Sequence, residues 1–407
     1  MTAAHSAMPK AAPSGTWQEV FLAFLRLGLT SFGGPVAHLG YFRQDIVARR
    51  GWLDERAYAD LVALCQFLPG PASSQVGIGI GLYRAGVAGA LAAWVGFTMP
   101  SALALALFAM GIESVGGALG SGWLHGLKVA AVAVVALAVW GMAGSMANDR
   151  PRASLAIGAT AIVLALPGTA GQLGAILLGA LAGVLFLGNG VATPPTAPPS
   201  LRYNRTLGAA CLALFFALLI GLPLAAAEWP RQEIAVASAF YRAGSLVFGG
   251  GHVVLPLLQA SVVPTGWVSN DLFLAGYGAA QAVPGPLFTF AAYLGFVLNQ
   301  PPNGWAGAAL CLVAIFVPSF LLVVGALPFW ERLRSRPAAQ SALRGVNAAV
   351  VGLLLAALYD PVWKSAISTP ADFALAAGAL VLLAIWKTPP WAVVILSALG
   401  GGALGYL

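Results

Sequence analysis

Two copies of one pattern, F-x-R-x-G-x-x-x-F-G-G, each place an arginine inside an apolar run that ends on paired glycines. The copies occupy residues 24–34 and 240–250, a constant offset of 216. A charge at membrane depth costs roughly 2.5–3.5 kcal/mol on insertion scales, so Arg26 and Arg242 are candidate functional residues. Paired glycines let the backbone approach a ligand and offer it N–H groups, and cations beside such groups bind anions. The candidate substrate-binding glycines are Gly33, Gly34, Gly249 and Gly250.

A second repeated motif, Q-x-x-P-G-P, covers residues 66–71 and 281–286. Proline removes a backbone donor and clashes with the preceding turn, so no straight helix passes through it. We therefore predict structural breaks at Pro69, Gly70, Pro71, Pro284, Gly285 and Pro286. A half-helix that starts after a break presents free N–H groups and the positive end of its dipole, and this end attracts anions. The polar candidates for substrate binding around the breaks are Gln66, Ser73, Ser74, Gln75, Gln281 and Thr289.

These residues also have structural interpretations. The arginines could extend to lipid headgroups or bond the last carbonyls of a helix, and the glycines could serve close helix packing. The two glutamines could cap freed backbone groups. His38 and His252 lie near the motifs and histidine titrates near neutral pH. They do not occupy equivalent positions, and we expect ordinary interior histidines.

Composition indicates an all-α polytopic membrane protein. Of the 407 residues, 59% are hydrophobic and 8% are charged, against about 25% charged in soluble domains. The net charge of +7 does not indicate nucleic-acid binding, because the basic residues fall mainly in short loops. The three cysteines and four histidines show no metal-ligand spacing, and we predict neither a metal nor a cofactor.

The acidic residues favour an anion over a cation as the substrate. All 13 fall in predicted loops or at segment ends, whereas cation transporters and proton relays usually place Asp or Glu inside the bundle. An interior that holds arginines and no carboxylate suits a negatively charged ligand.

The repeated motifs divide the chain into two halves. We predict a disordered cytoplasmic tail (1–16), a first repeat (17–188), a proline-rich cytoplasmic linker (189–204), an extra transmembrane helix (205–228) and a second repeat (229–407). In each repeat, the broken segments form hairpins of two half-helices, and ordinary transmembrane helices follow. Such breaks at matching positions of two halves point to the binding site of a transporter.

The basic loops predict that the two repeats have inverted topology. The loop 43–56 carries four arginines, and its counterpart 260–272 carries no lysine or arginine. The bias reverses at the next loop, where 331–336 carries three arginines and 111–123 carries none. Basic loops lie on the cytoplasmic side, so the halves face opposite ways and the N-terminus is cytoplasmic.

The duplicated FGG and PGP motifs, with an arginine before each FGG, resemble the long two-domain form of the chromate ion transporter (CHR) family. The resemblance covers about 17–407. It implies a multi-pass protein of the bacterial inner membrane that exports chromate and confers resistance, driven by the proton-motive force through antiport with a coupling ion, a proton. Sulfate is the implied competitor. Two departures suggest unequal halves: 249–251 is Gly-Gly-Gly where 33–35 is Gly-Gly-Pro, and 288–290 is Phe-Thr-Phe where 73–75 is Ser-Ser-Gln.

Three hypotheses remain open on the sequence. The first is a secondary active oxyanion exporter, for chromate, sulfate or another oxyanion. The second is an anion channel of the same architecture. The third, a membrane-embedded enzyme, is disfavoured because paired carboxylates, HExxH, a nucleophile elbow and a P-loop are all missing. We therefore expect no enzymatic activity. No pattern indicates an oligomeric state.

Overall fold

The computed structural model describes residues 15–116, 122–188, 205–248 and 251–404, and within these ranges the regular structure is helical. The all-α class predicted from the sequence is confirmed. The first half, up to the proline-rich segment, contains seven α-helices in its described part: α1 (Trp17–Thr30), α2 (Gly34–Phe42), α3 (Glu55–Phe67), α4 (Ala72–Gly116), α5 (Gly122–Met146), α6 (Arg150–Ala165) and α7 (Thr169–Phe186). A π-helical segment, Arg43–Arg49, extends α2.

A single long helix, α8 (Arg205–Glu228), connects this half to the second. The second half then contains α9 (Gln232–Leu246), α10 (Val254–Val262), α11 (Asn270–Ala280), α12 (Phe290–Phe296), α13 (Gly304–Ala326), α14 (Trp330–Arg334), α15 (Pro337–Ala357), α16 (Lys364–Ala366), α17 (Pro370–Ala384) and α18 (Pro390–Leu404). Short 3₁₀ or π segments precede or extend several of these, at Gly251–Val253, Leu287–Thr289, Leu327–Phe329 and Leu358–Trp363.

Six helices in the described part of the chain are long and apolar enough to cross a membrane. The helix α8 has the least buried of these spans, with 6% of its apolar window buried. Large apolar side chains also lie exposed along other helices, such as Trp140, Phe186 and Trp386. A surface of this kind requires a lipid environment, so the chain is a multi-pass membrane protein.

The helices are interrupted at both PGP motifs. The helix α3 ends at Phe67 and α4 begins at Ala72, while α11 ends at Ala280 and the 3₁₀ turn Leu287–Thr289 leads into α12. The chain also leaves helical geometry within α4, at Ala85 and Gly86. There it reverses, because Gly81 and Gly89 lie in close backbone contact. The first of the six apolar spans therefore contains a turn.

The two halves are interleaved in their packing. In the first half, α5 packs against α11, α17 and α18 of the second half. In the second half, α15 packs against α6 and α7 of the first. Gly126 on α5 and Gly345 on α15 occupy related positions, and each has no room for a side chain, since a Cβ would overlap the carbonyl oxygen of Ser397 or Gly179. Each half thus supplies a helical hairpin that covers a long helix of the other.

Several predictions concern residues outside the described ranges. The tail up to residue 14, the linker 189–204 and the glycines Gly249 and Gly250 belong to this group. The domain plan and the inverted orientation of the halves therefore stay predictions.

Candidate functional site

The site forms where the break of each half meets the residue that precedes the FGG motif of the other. The Gly285 N–H donates to the carbonyl oxygen of Ser31, 2.9 Å away, and the Gly70 N–H donates to that of Val247, 2.6 Å away. Ser31 and Val247 stand at the same offset of 216 as the repeated FGG motifs that follow them. The four motifs are thus brought together in two equivalent cross-connections between the halves.

Glycine is required at these turns for two separate reasons. Gly33, Gly70 and Gly285 have φ values of 96°, 122° and 96°, a region that side chains rarely adopt. Space is also restricted: a Cβ on Gly285 would lie 2.9 Å from the Ser101 hydroxyl oxygen, and one on Gly70 would lie 3.2 Å from that of Ser319. The motif glycines therefore let backbone and hydroxyl groups approach one another closely.

A cavity of about 160 Å³ opens at one of the two cross-connections. Its walls come from the first-half turn at Gly33 and Gly34 and from the second-half break at Gln281 and Gly285. The middle of α5, at Val134, and the turn between α17 and α18 complete the lining. A water occupies about 30 Å³ in the liquid, so the cavity has room for a small oxyanion of five heavy atoms. Because Val134 is halfway along a membrane-length helix, the cavity lies deep within the bundle.

The described lining is mostly apolar and carries no fixed charge. Among the described lining residues there is no Asp, Glu, Lys or Arg, and the polar side chains are Gln281 and His252. The Nε2 atom of Gln281 is buried and has no hydrogen-bond acceptor. The Nδ1 atom of His252 lies 2.8 Å from the hydroxyl oxygen of the buried Tyr277. Hydrogen-bond donors that lack acceptors in a deep cavity suit a ligand rich in acceptors, such as an oxyanion.

The start of α4 holds a second group of polar residues that were predicted to bind substrate. Ser73, Ser74 and Gln75 are all buried in the first turn after Pro71. The Ser73 hydroxyl oxygen lies 3.3 Å from Nδ1 of His38. Gln75 donates from Nε2 to the carbonyl of Pro69 at 2.6 Å, and its Oε1 and the Ser74 hydroxyl have no partner. This group is outside the described lining of the cavity.

The remaining predicted residues are dispersed. Thr289 is buried, and its hydroxyl donates to the carbonyl of Pro286 at 2.8 Å, which closes the local turn. Gln66 lies exposed on α3, away from the cavity lining. These two positions fit the structural interpretation of the motif better than contact with a ligand.

The two arginines differ from the shared interior position that their motif predicts. Arg26 is exposed on α1, on the same face as the exposed Leu22 and Leu29. Arg242 is half-buried on α9. Neither belongs to the described cavity lining. The buried face of α1 is formed by residues such as Phe24 and Gly28, and a side chain two positions from each of them points elsewhere.

Sequence reasoning undervalued His252 and did not select Ser31, Tyr277, Ser101 or Ser319. The signal for the last two was present, since Pro-Ser repeats at 100–101 and 318–319. No sequence signal pairs Tyr277 with His252, because the contact depends on how α11 packs. Among the described residues, no group of three or more His, Cys, Asp or Glu is placed to hold a metal.

Comparison with known proteins identifies relatives of the whole chain. The family model for chromate transporters matches residues 18–185 and 234–404, the segments on either side of α8. The "Chromate transport protein" of Pseudomonas aeruginosa is 29% identical over 95% of this chain and 92% of its own length. That of Cupriavidus metallidurans is 28% identical over 91% and 89%. An uncharacterized transporter of Methanocaldococcus jannaschii is 26% identical over 83% and 82%. No solved structure matches the chain.

Proposed function

The chain belongs to the chromate transporter family, and on that premise we propose that it exports chromate across the bacterial inner membrane and so confers chromate resistance. The observation that carries the proposal is the deep cavity at Gly33, Gly34, Gln281 and Gly285, where motifs of both halves meet. No carboxylate lies among its described lining residues, so a dianion would meet no repulsion from them. Its amide donors supply the contacts that an oxyanion needs.

The driving force that we propose is the proton-motive force, with the proton as the coupling ion. Each elementary charge that crosses the membrane potential changes the free energy by about 2.3 kcal/mol per 100 mV. A dianion that leaves a cell with a negative interior therefore gains about 4.6 kcal/mol at 100 mV from the electrical part alone. The membrane potential alone thus favours export.

The mechanism that we propose is alternating access between two inverted repeats, with a cytoplasmic N-terminus. The two equivalent cross-connections, from Gly70 to Val247 and from Gly285 to Ser31, support this arrangement. One half would rock against the other about these contacts while the anion stays near the midplane. The start of α4, with Ser73, Ser74 and Gln75, would line the path on the other side of the seam between the halves.

For the two arginines we propose a role along the anion's path rather than in the cavity itself. Replacing Arg242 with Gln should lower chromate transport at least tenfold, because the half-buried guanidinium attracts the anion in a low-dielectric region. Arg26→Gln should have a smaller effect, since an exposed charge is better screened. Transport by both variants at the wild-type rate, with normal membrane insertion, would remove the arginines from the proposal.

The decisive experiment is uptake of chromate, sulfate and molybdate into everted membrane vesicles that contain the full chain. Chromate uptake that responds to an imposed pH gradient supports proton-coupled export. Sulfate is the alternative substrate, because it shares the charge and shape of chromate, and preferred uptake of sulfate would reassign the substrate. A flux that is indifferent to an imposed pH gradient would indicate a channel, because the membrane potential alone drives a dianion through an open pore. Substrate turnover in detergent without any transport would instead indicate an enzyme.

A further inference from the structure

Among the described residues that line the cavity, one has a side chain that can become positively charged. His252 lines it together with apolar residues, glycines, prolines and Gln281. A dianion that enters meets no permanent countercharge in the described lining, and burying an unpaired charge in a low-dielectric interior is costly. Protonation of the His252 ring would provide the missing charge at the wall of the cavity itself.

The contact with Tyr277 permits both charge states of the ring. Nδ1 of His252 lies 2.8 Å from the Tyr277 hydroxyl oxygen, and a hydroxyl can either donate or accept. In the neutral ring the hydroxyl donates to Nδ1, and in the charged ring the Nδ1–H donates to the hydroxyl oxygen. Nε2 carries a proton in both states. The bond therefore survives the gain of a proton, whereas a carboxylate partner would favour the charged state permanently.

Other charged groups do not replace this one. Lys128 on α5 precedes the lining residue Val134 by six positions, about 9 Å along the helix. Arg242 on α9 is half-buried and lies outside the described lining. Tyr277 is a titratable group that shares a hydrogen bond with the ring. The end groups bond elsewhere: Lys128 to Asp271, His125 to Asp372, and Arg344 to the carbonyl of Gly188.

The second buried histidine near the motifs differs in its surroundings. His38 is 1% exposed and packs edge-on against the ring of Phe97, with centroids 5.3 Å apart. It contacts Ser73 and is outside the described cavity lining. For a dianion in the cavity, His252 and not His38 would therefore neutralise one of the two charges.

We propose that His252 takes up one proton as the oxyanion enters the cavity, so that the two bind together. The inference rests on the proposed function and names the residue that holds the coupling proton. Linkage makes the effect reciprocal: the proton raises the affinity for the anion, and the anion raises the affinity for the proton. A proton held beside the anion travels in the same direction. This direction differs from the antiport implied by the resemblance. The anion and its proton together carry a net charge of −1, which the membrane potential drives outwards.

The test measures chromate binding to the purified full chain between about pH 7.5 and 9, where free chromate is the dianion. One linked proton makes Kd rise by up to about tenfold per pH unit. The variant His252→Gln keeps a donor near the Nε2 position but cannot be charged. It should bind chromate weakly, with a high Kd that does not change with pH. The matched control, His125→Gln, should keep the wild-type slope. The same slope in His252→Gln as in the wild type would overturn the inference.

A second measurement needs no variant. Calorimetry of chromate binding to the wild type, in two buffers with different ionisation enthalpies, should give an uptake of about one proton per anion. If chromate binds normally and no proton is taken up, the inference is overturned and the proposed function is left intact. A wild type that binds no chromate at any of these pH values contradicts the proposed function itself.

Discussion

At the scale of single residues, the glycines of the two PGP motifs combine an unusual backbone conformation with a close contact. Gly70 and Gly285 have φ values of 122° and 96°, and each donates its N–H to the other half of the molecule. One residue thus determines both the local turn and a connection between the halves. Their substitution should therefore affect stability and transport together.

We expect Gly285→Ala and Gly70→Ala each to destabilise the protein by about 1–3 kcal/mol, the usual cost of a strained backbone conformation. Chromate uptake should fall by more than tenfold, because the Cβ would also crowd Ser101 or Gln75. Thermal unfolding in detergent and vesicle uptake measure the two effects. Gly402→Ala is the control, since its Cβ would meet nothing within 4 Å. Wild-type behaviour of both motif variants would contradict this account.

The residues of the site were predictable only in part. The positions of the helix breaks could be predicted, because proline disrupts a helix through its own backbone and the preceding turn. The partner of each break did not follow, since Gly285 and Ser31 are more than 250 residues apart. Arg26 was expected to face the interior because a charge in an apolar run is unusual, but the direction of a helical side chain depends on which face packs. Phe24 and Gly28 occupy the packed face of α1.

At the scale of helices, close backbone contact joins the halves. Gly126 on α5 lies against Ser397 on α18, and Gly345 on α15 lies against Gly179 on α7. Small residues at such crossings let helices approach in lipid, where association depends on packing and not on the exclusion of water. The two crossings hold the exchanged hairpins in place.

Alanine at either crossing should separate the two helices. We expect Gly126→Ala and Gly345→Ala to lower stability by about 1–3 kcal/mol each, as overpacking usually does. Gly141→Ala, on the same helix as Gly126 and with nothing within 4 Å of its Cβ, should have little effect. Melting temperatures of the three purified variants provide the measurement. An equal response at all three positions would show that helix propensity, not crowding, determines the result.

Helix existence could be predicted from the sequence, whereas helix partners could not. The hydropathy of segments such as α5 and α8 is sufficient to place them in the membrane. The hairpin α6–α7 covers a helix of the second half and α17–α18 covers a helix of the first. No sequence pattern indicates this, because the residues at the crossings are small and apolar like their neighbours. Only the recurrence of Gly126 as Gly345 indicated that these positions are related.

At the scale of the whole molecule, the proposed inversion assigns equivalent loops to opposite sides of the membrane. Arg56, in the first turn of α3 beside one such loop, and Thr265, in the turn after α10, are both exposed. In a background with the three native cysteines replaced by alanine, Arg56→Cys should react with an impermeant maleimide only in everted vesicles. Thr265→Cys should react in cells whose outer membrane has been permeabilised. Labelling of both from the same side would refute the inversion and leave the family assignment unchanged.

The exchanged hairpins have a consequence for biogenesis. The first 188 residues reach the translocon long before α15. The hairpin α6–α7 is therefore inserted in the bilayer before the helix that it covers has been made. The helix α5 waits longer still, until α17 and α18, the last helices of the chain, arrive. A ribosome that stalls between α15 and the final hairpin would therefore release a product in which α15 is covered but α5 is not, and membrane quality-control proteases should recognise it as unfinished.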